Sequence, residues 1–193
     1  MSNIFEFNAL ISLEVDSLKE SELYKRMSEL TKNKDEWEEN IPYIHSMLEY
    51  DSERIIAKAL WMLGEMGLRY PNAVTDFVPS VASFLSSTTP LLRSRAITAL
   101  GRIGRADFGI IKPYWAKLYS FASDADPNVR LSFIWSSENI ATNSPEIFDG
   151  YMEVFARLLS DPDDRVRMEA PEIFRVIGKR KPDIIREYRV FTK

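Results

Sequence analysis

An all-α superhelix of about five stacked helical hairpins is what the chain's self-similarity predicts. Asp51 to Gly67, "DSERIIAKALWMLGEMG", superimposes without gaps on Thr88 to Gly104, "TTPLLRSRAITALGRIG", a spacing of 37 residues. Continued, the same step marks four equivalent helix ends at Gly67, Gly104, Ala141 and Gly178. Three apolar columns hold this register: Ile44, Val81, Leu118 and Phe155; Met47, Phe84, Phe121 and Leu158; and Met66, Ile103, Ile140 and Ile177. Within each unit two segments with apolar residues at helical spacing flank a polar turn, so each unit is a helical hairpin. One hairpin cannot bury its apolar face alone, so neighbours must stack.

Taken in order, residues 1–35 read as a degenerate capping hairpin. Its start, "MSNIFEFNALISLEVDS", lacks a basic n-region and is broken by Glu6, Asn8, Glu14 and Asp16, which favours a helix over a secretory leader. Four repeats follow at 36–67, 71–104, 108–141 and 145–178, and residues 182–193 form a fifth first-helix that caps the stack. Pro71, Pro145 and Pro182 share one phase, with Phe108 as the exception, and suit a first helical turn, where a missing N–H costs nothing. Pro42 and Pro79 share a second phase inside the first helix, where a kink is expected. Pro171 breaks a second helix, either as a kink or as the mark of a functional site.

The segments "DPDDRVRMEAPEIFRVIG" (Asp161 to Gly178) and "DADPNVRLSF" (Asp124 to Phe133) resemble HEAT repeats, in which an Asp-rich turn leads through Val-Arg into an apolar helix. The resemblance spans roughly residues 36 to 193. It implies a right-handed α–α superhelix whose second helices line a concave face. It also implies that Arg93, Arg130 and Arg167, with Asp124 and Asp161 heading two of the units, form a structural Asp–Arg ladder.

Composition narrows the function. There is no cysteine and one histidine, His45, which removes thiolate chemistry, paired-His metal sites and disulfides. No phosphate-binding loop, dinucleotide fingerprint or nucleophile elbow is present, so no cofactor and no metal are expected. His45 reads as a surface or rim residue. The net charge of -4 and pI near 5.2 argue against a strong grip on nucleic acid. No apolar run approaches a membrane span, and a cytoplasmic location is expected. The basic turn "GKRKP" (Gly178 to Pro182) reads as solvated.

At about 100° per residue, Ile55, Ala59, Met62 and Met66 point into the core. Arg54, Lys58, Trp61 and Glu65 form an outward stripe that continues as Leu91, Arg95, Thr98 and Arg102, then Asn128, Ser132, Trp135 and Asn139, then Arg165, Glu169, Glu172 and Val176. The candidate groove residues are Trp61, Glu65, Arg95, Arg102, Trp135, Asn139 and Glu172, cationic in the N-terminal half and mildly acidic in the C-terminal half. In "SFIWSSENIATN" (Ser132 to Asn143), Phe133 sits in an alanine column, while Ser136 and Ser137 replace Met62 and Leu63, which conserves core volume. Trp135, Asn139 and Glu138, the last in a glycine column, are left open between a recognition surface and local repacking.

Two functions follow. The absence of catalytic motifs and the acidic balance predict a non-enzymatic scaffold that binds a protein partner through aromatic and arginine anchors. The alternative is an enzyme similar to the DNA-alkylation-repair glycosylases, HEAT-like proteins that hold damaged DNA against tryptophans. "WSSENIATNSPE" (Trp135 to Glu146) is similar to that family's C-terminal tryptophan region, and Trp135 alone carries over. Trp61, Glu65 and Arg102 would supply an aromatic wall, a carboxylate and a cation by geometry only. Repeats of the phycobilin-lyase kind rest on repeat class alone. Ile184, Ile185, Tyr188 and Phe191 need cover, which predicts a homodimer through the C-terminal segment.

Overall fold

A computed structural model describes residues 20–192, with side chains to Val190. Residues 1–19, and with them the first half of the expected cap and the reading of its start as a helix, lie outside the described residues, as does the side chain of Phe191. Among the described residues the α-helical segments are α1 (Glu20–Leu30), α2 (Ile41–Ser46), α3 (Glu53–Arg69), α4 (Pro71–Val74), α5 (Val78–Ser83), α6 (Pro90–Ala106), α7 (Phe108–Ile111), α8 (Trp115–Ser120), α9 (Pro127–Ala141), α10 (Met152–Leu158), α11 (Asp164–Glu169) and α12 (Pro171–Gly178). The long second helices α3, α6 and α9 pack side by side in chain order, and α9 continues the series onto α11 and α12. Among the described residues there is no strand, and no helix is long and apolar enough to cross a membrane.

Of the three long helices, α3 and α9 start where a side chain satisfies an orphan N–H, whereas Thr89 ahead of α6 makes no such bond. Ser52 accepts from the Ile55 N–H ahead of α3, and Asp126 accepts from the Asn128 N–H ahead of α9. Asp163 does the same for Arg165 ahead of α11. Pro90 and Pro127 occupy first-turn positions, where they forfeit no bond. The apolar columns then point inward. Ile55, Ala59, Met62 and Met66 are buried, as are Ile44, Val81, Leu118 and Phe155, while Phe84 alone of its column is only half-buried.

The first helices are more broken than one kink per unit. In the second unit, α4 gives way to a 3₁₀ turn at Thr75–Phe77 before α5, which ends in another at Phe84–Ser86. The third unit repeats this with 3₁₀ turns at Lys112–Tyr114 and Phe121–Ser123, although its proline column holds Ala116. There Pro113 stands three residues earlier and enters the tight turn itself. In the fourth unit the second helix is severed between α11 and α12, because Pro171 cannot donate to the carbonyl four residues back.

Glycine fixes how closely the long helices approach. A Cβ built on Gly64 would lie 2.7 Å from the Ala99 Cα, and one on Gly101 only 2.6 Å from the Ser136 Cα. Backbones this close need a glycine on one helix and a small residue on the other. Ser136 therefore answers Gly101 across the interface, and its hydroxyl donates to the Ile97 carbonyl at 3.0 Å. The volume removed there returns at Phe133, which stacks on Phe155 with centroids 5.2 Å apart and meets Tyr119 edge-on. Ser137 bonds back to the Phe133 carbonyl.

The Asp–Arg ladder joins successive repeats. Arg93 donates Nε and Nη2 to Asp124 at 3.0 and 2.8 Å, and Arg130 donates the same pair to Asp161, both at 2.7 Å. Each arginine's Nη1 ties down the turn before its own helix, through Ser87 and Thr88 for Arg93 and through Asp124 and Ala125 for Arg130. Arg167 bonds the Asp161 carbonyl likewise and pairs with Asp164. Burial alone would raise the Asp161 carboxyl. The Arg130 hydrogen bonds, the Asp163 N–H and the Arg130 charge override it and hold the pKa below the ordinary aspartate value.

The C-terminal segment differs from the expected helix. After a turn at 182–185 it runs as a 3₁₀ helix over Arg186–Thr192, a segment too short to sustain an α-helix by propensity. Ile185 is buried against Gly178, and Tyr188 packs on Phe174 with its hydroxyl 3.5 Å from Glu153. Two of the residues expected to need a second copy thus find cover within the chain, while Val190 stays exposed.

Candidate functional site

The side chains that the register sends outward come from successive second helices, α3 and α6 first. On α3, Trp61 is half-buried and Lys58 reaches over its ring, Nζ to centroid 4.7 Å. The Arg54 guanidinium lies 3.9 Å over Tyr24 of α1, and Lys58 is 5.6 Å from the same ring. On α6, Leu91 and Arg95 are exposed. Tyr24, Arg54, Lys58, Trp61, Leu91 and Arg95 surround a cleft of about 510 Å³, with Glu53 at its edge accepting from the Thr89 hydroxyl at 2.7 Å.

Further along, Glu65 and Arg102 face each other across the α3–α6 interface, and Nε donates to the carboxylate at 2.7 Å. Both are partly shielded. The pair engages the carboxylate that would serve as a stabilising group in a glycosylase-like site. On α9, Trp135 is 43% exposed, and Asn139 donates to the Trp135 carbonyl at 2.9 Å while accepting a long bond from Arg105. On α12, Glu172 pairs with Arg175 at 2.8 Å. Trp61, Glu65, Arg95 and Arg102 are thus brought together on two adjacent helices, whereas Trp135, Asn139 and Glu172 continue onto later ones.

The register misplaced one member of the stripe. Ser132 is 2% exposed, its hydroxyl 2.6 Å from that of Ser94 and bonded to the Asn128 carbonyl. It lies at the edge of the stripe where α9 turns toward α6, so a few degrees of helix rotation move it from wall to interface. His45 is partly buried against the Phe77 ring, 4.6 Å between centroids, and this burial lowers its pKa, with Glu49 acting the other way. Among the described residues no group of three ligating side chains is placed to hold a metal ion.

Glu138 is the site residue that sequence reasoning could not resolve. Its glycine-column predecessors Gly64 and Gly101 sit against a neighbouring helix, but here the neighbour is broken at Pro171. One carboxylate oxygen of Glu138 is buried with no hydrogen-bond partner. Burial, then the charges of Glu169 and Glu172, push its pKa up to about 8, with Arg175 opposing. The native state therefore keeps a proton that the unfolded chain gives up above its ordinary value of 4.5. That stability is fully present below this value and is lost as pH rises through about 8. Glu138→Gln should remove the slope and raise stability at pH about 9 by roughly 2–4 kcal/mol, allowing for partial solvent screening. Urea unfolding of both proteins at pH about 5 and about 9 checks this; the same pH dependence in both would refute it.

Repeat register, cross-repeat ladder and outward stripe define a HEAT/armadillo-type α-solenoid. The family model of the sister chromatid cohesion protein PDS5 matches residues 30–185, and the chain belongs to that family. Among solved structures it is similar to a designed armadillo repeat protein in complex with the peptide (KR)4, at TM-score 0.67 and 17% identity over 95% of this chain and 87% of that one. An engineered protein matches with TM-score 0.61 and 20% identity over 79% of this chain and 68% of the other. The Pds5-Scc1 complex matches with TM-score 0.55 and 22% identity over 70% of this chain but only 22% of that chain. No curated protein matches the sequence.

Proposed function

We propose that the chain is a non-enzymatic scaffold that holds a segment of a protein partner along the outward stripe of its second helices. The observation that carries this reading is the cleft between α3 and α6, where a half-buried tryptophan, an exposed leucine and three cations adjoin on rigid helices. Side chains fixed on packed helices lose little entropy when a partner docks, and aromatic and cationic anchors concentrate binding energy. Two similar structures support a protein occupant, since one was solved with a peptide and the other with Scc1. Glu65 is held by Arg102, so the stripe offers no unengaged carboxylate at the position a glycosylase-like reading would use.

Affinity capture with the wild type and with a Trp61→Ala/Trp135→Ala variant tests the reading. Both tryptophans sit outside the fully buried core, so the variant should melt within a few degrees of wild type and lose a protein that the wild type retains. Retention of every captured protein by a folded variant would remove the stripe from the account. Release of a modified base from methylated DNA by the purified protein would replace it with the repair reading.

A further inference from the structure

Resting on the scaffold reading, we propose that the occupant of the α3–α6 cleft is an extended acidic peptide segment, with carboxylates about three residues apart on either side of an apolar side chain. The whole chain is acidic, 29 Asp and Glu against 25 Lys and Arg, yet this cleft gathers Arg54, Lys58 and Arg95 against Glu53 alone. A second cleft of about 440 Å³ at the C-terminal end has the reverse balance, with Asp149, Glu153, Asp183 and Glu187 against Arg186. Among the described residues the two clefts are thus of opposite charge, and an anionic segment is steered toward the α3–α6 one.

The three cations are available to a ligand. Lys58 and Arg95 have no carboxylate within salt-bridge distance among the described residues. The partner of Arg54, Glu20, stands 3.8 Å away, with the two side chains 61% and 43% exposed, a contact a better-placed carboxylate displaces at little cost. Two of the cations are also pre-positioned. Arg54 is stacked on Tyr24, and Lys58 lies over Trp61 and near Tyr24. Contact with an aromatic face restrains the head group while leaving N–H donors free for a carboxylate, so less freedom is lost on binding. Leu91 and the Trp61 ring supply the apolar contact between the charges.

The spacing follows from the helices. α3 and α6 pack closely through Gly64 and Ala99, and the axes of packed helices lie about 8–10 Å apart. An extended chain rises about 3.3 Å per residue, so one step from the Arg54 and Lys58 helix to the Arg95 helix takes about three residues.

Random-peptide phage display on the full chain tests this, with the winning sequence synthesised and titrated by fluorescence anisotropy against wild type, Lys58→Glu, Arg95→Glu, Trp61→Ala and Lys117→Glu. Thermal melts verify that each variant is folded. The expected consensus carries Asp or Glu about three positions apart around an apolar residue. Its binding should weaken with added salt, fall about tenfold or more in Lys58→Glu and in Arg95→Glu, and change little in Lys117→Glu, a charge reversal on a first helix away from the cleft. A basic or uncharged consensus, or acidic peptides indifferent to both charge reversals, would overturn the inference. If such peptides are nonetheless lost in Trp61→Ala, the scaffold reading survives. If no peptide is enriched, or those enriched ignore every stripe substitution, the scaffold reading fails too. A labelled oligothymidylate that binds in place of peptides and is lost in Lys58→Glu would make phosphates the occupant and overturn the proposal.

Discussion

Asp161→Ala is expected to cost about 3–5 kcal/mol, because it leaves the Arg130 guanidinium buried without its counter-charge. Arg130 and Asp161 are 10% and 5% exposed and share two hydrogen bonds of 2.7 Å, so little solvent reaches the stranded cation. The loss has a second part. Asp161 also accepts from the Asp163 N–H and so shapes the turn that presents the cap of α11. The melting temperature should fall by roughly 10 °C in differential scanning calorimetry. Arg130→Met in the Asp161→Ala background should recover part of the loss, since an apolar pair of similar volume carries no stranded charge. As a comparison, Asp183→Ala removes an ion pair whose members are 80% and 70% exposed and should leave stability close to that of wild type. Equal effects of the two substitutions would contradict the structural role of the ladder. Asp124 and Asp161 both have carboxyls held below the ordinary value. Their contribution is present above the ordinary aspartate pKa and is lost as pH falls through the depressed folded-state value.

Gly101→Ala should destabilise the protein by about 2 kcal/mol or more even though it places the best helix former inside a helix. Propensity alone would favour alanine by about 1 kcal/mol. The new Cβ would collide with the Ser136 Oγ and stand 2.6 Å from the Ser136 Cα. The second atom is backbone and cannot rotate aside, so α6 and α9 must separate and lose packing along their length. The sign of the effect decides which term dominates. Chemical denaturation that shows Gly101→Ala as stable as wild type, or more so, would mean that the close approach of the two helices is not what holds this interface.

Much of this was legible from residue spacing. The 37-residue step placed the apolar columns, and those columns are buried except at Phe84. The ladder of Arg93 and Arg130 with Asp124 and Asp161 was implied by the resemblance to HEAT repeats, and it recurs because a residue type repeated at fixed register in a stack meets the next repeat in the same way each time. Other features depend on what lies across an interface and carry no local mark. Ser136 reads as a volume compensation until Gly101 is seen opposite it. Ser132 lies at the edge of a stripe whose limits depend on helix rotation. The character of Glu138 depends on a break at Pro171, more than thirty residues away. The breaks of the first helices recur with and without the shared proline, so proline phase alone could not place them. The candidate site was legible as a stripe; the aromatic stacking of Arg54 and Lys58 was not, because Tyr24 comes from a helix outside the 37-residue register.

The measurement that bears most directly on the central claim is site-specific photo-crosslinking. A photoreactive residue would be placed singly at Trp61, Arg95 and Trp135 on the stripe, and at Lys117 and Arg157 on the exposed sides of the first helices. Crosslinks would then be read by mass spectrometry after irradiation in the protein's native cells. The account predicts crosslinks to a segment of one protein partner from the stripe positions, with none to that segment from Lys117 or Arg157. Crosslinks confined to the first-helix positions would show that the partner binds the opposite face, and would contradict it.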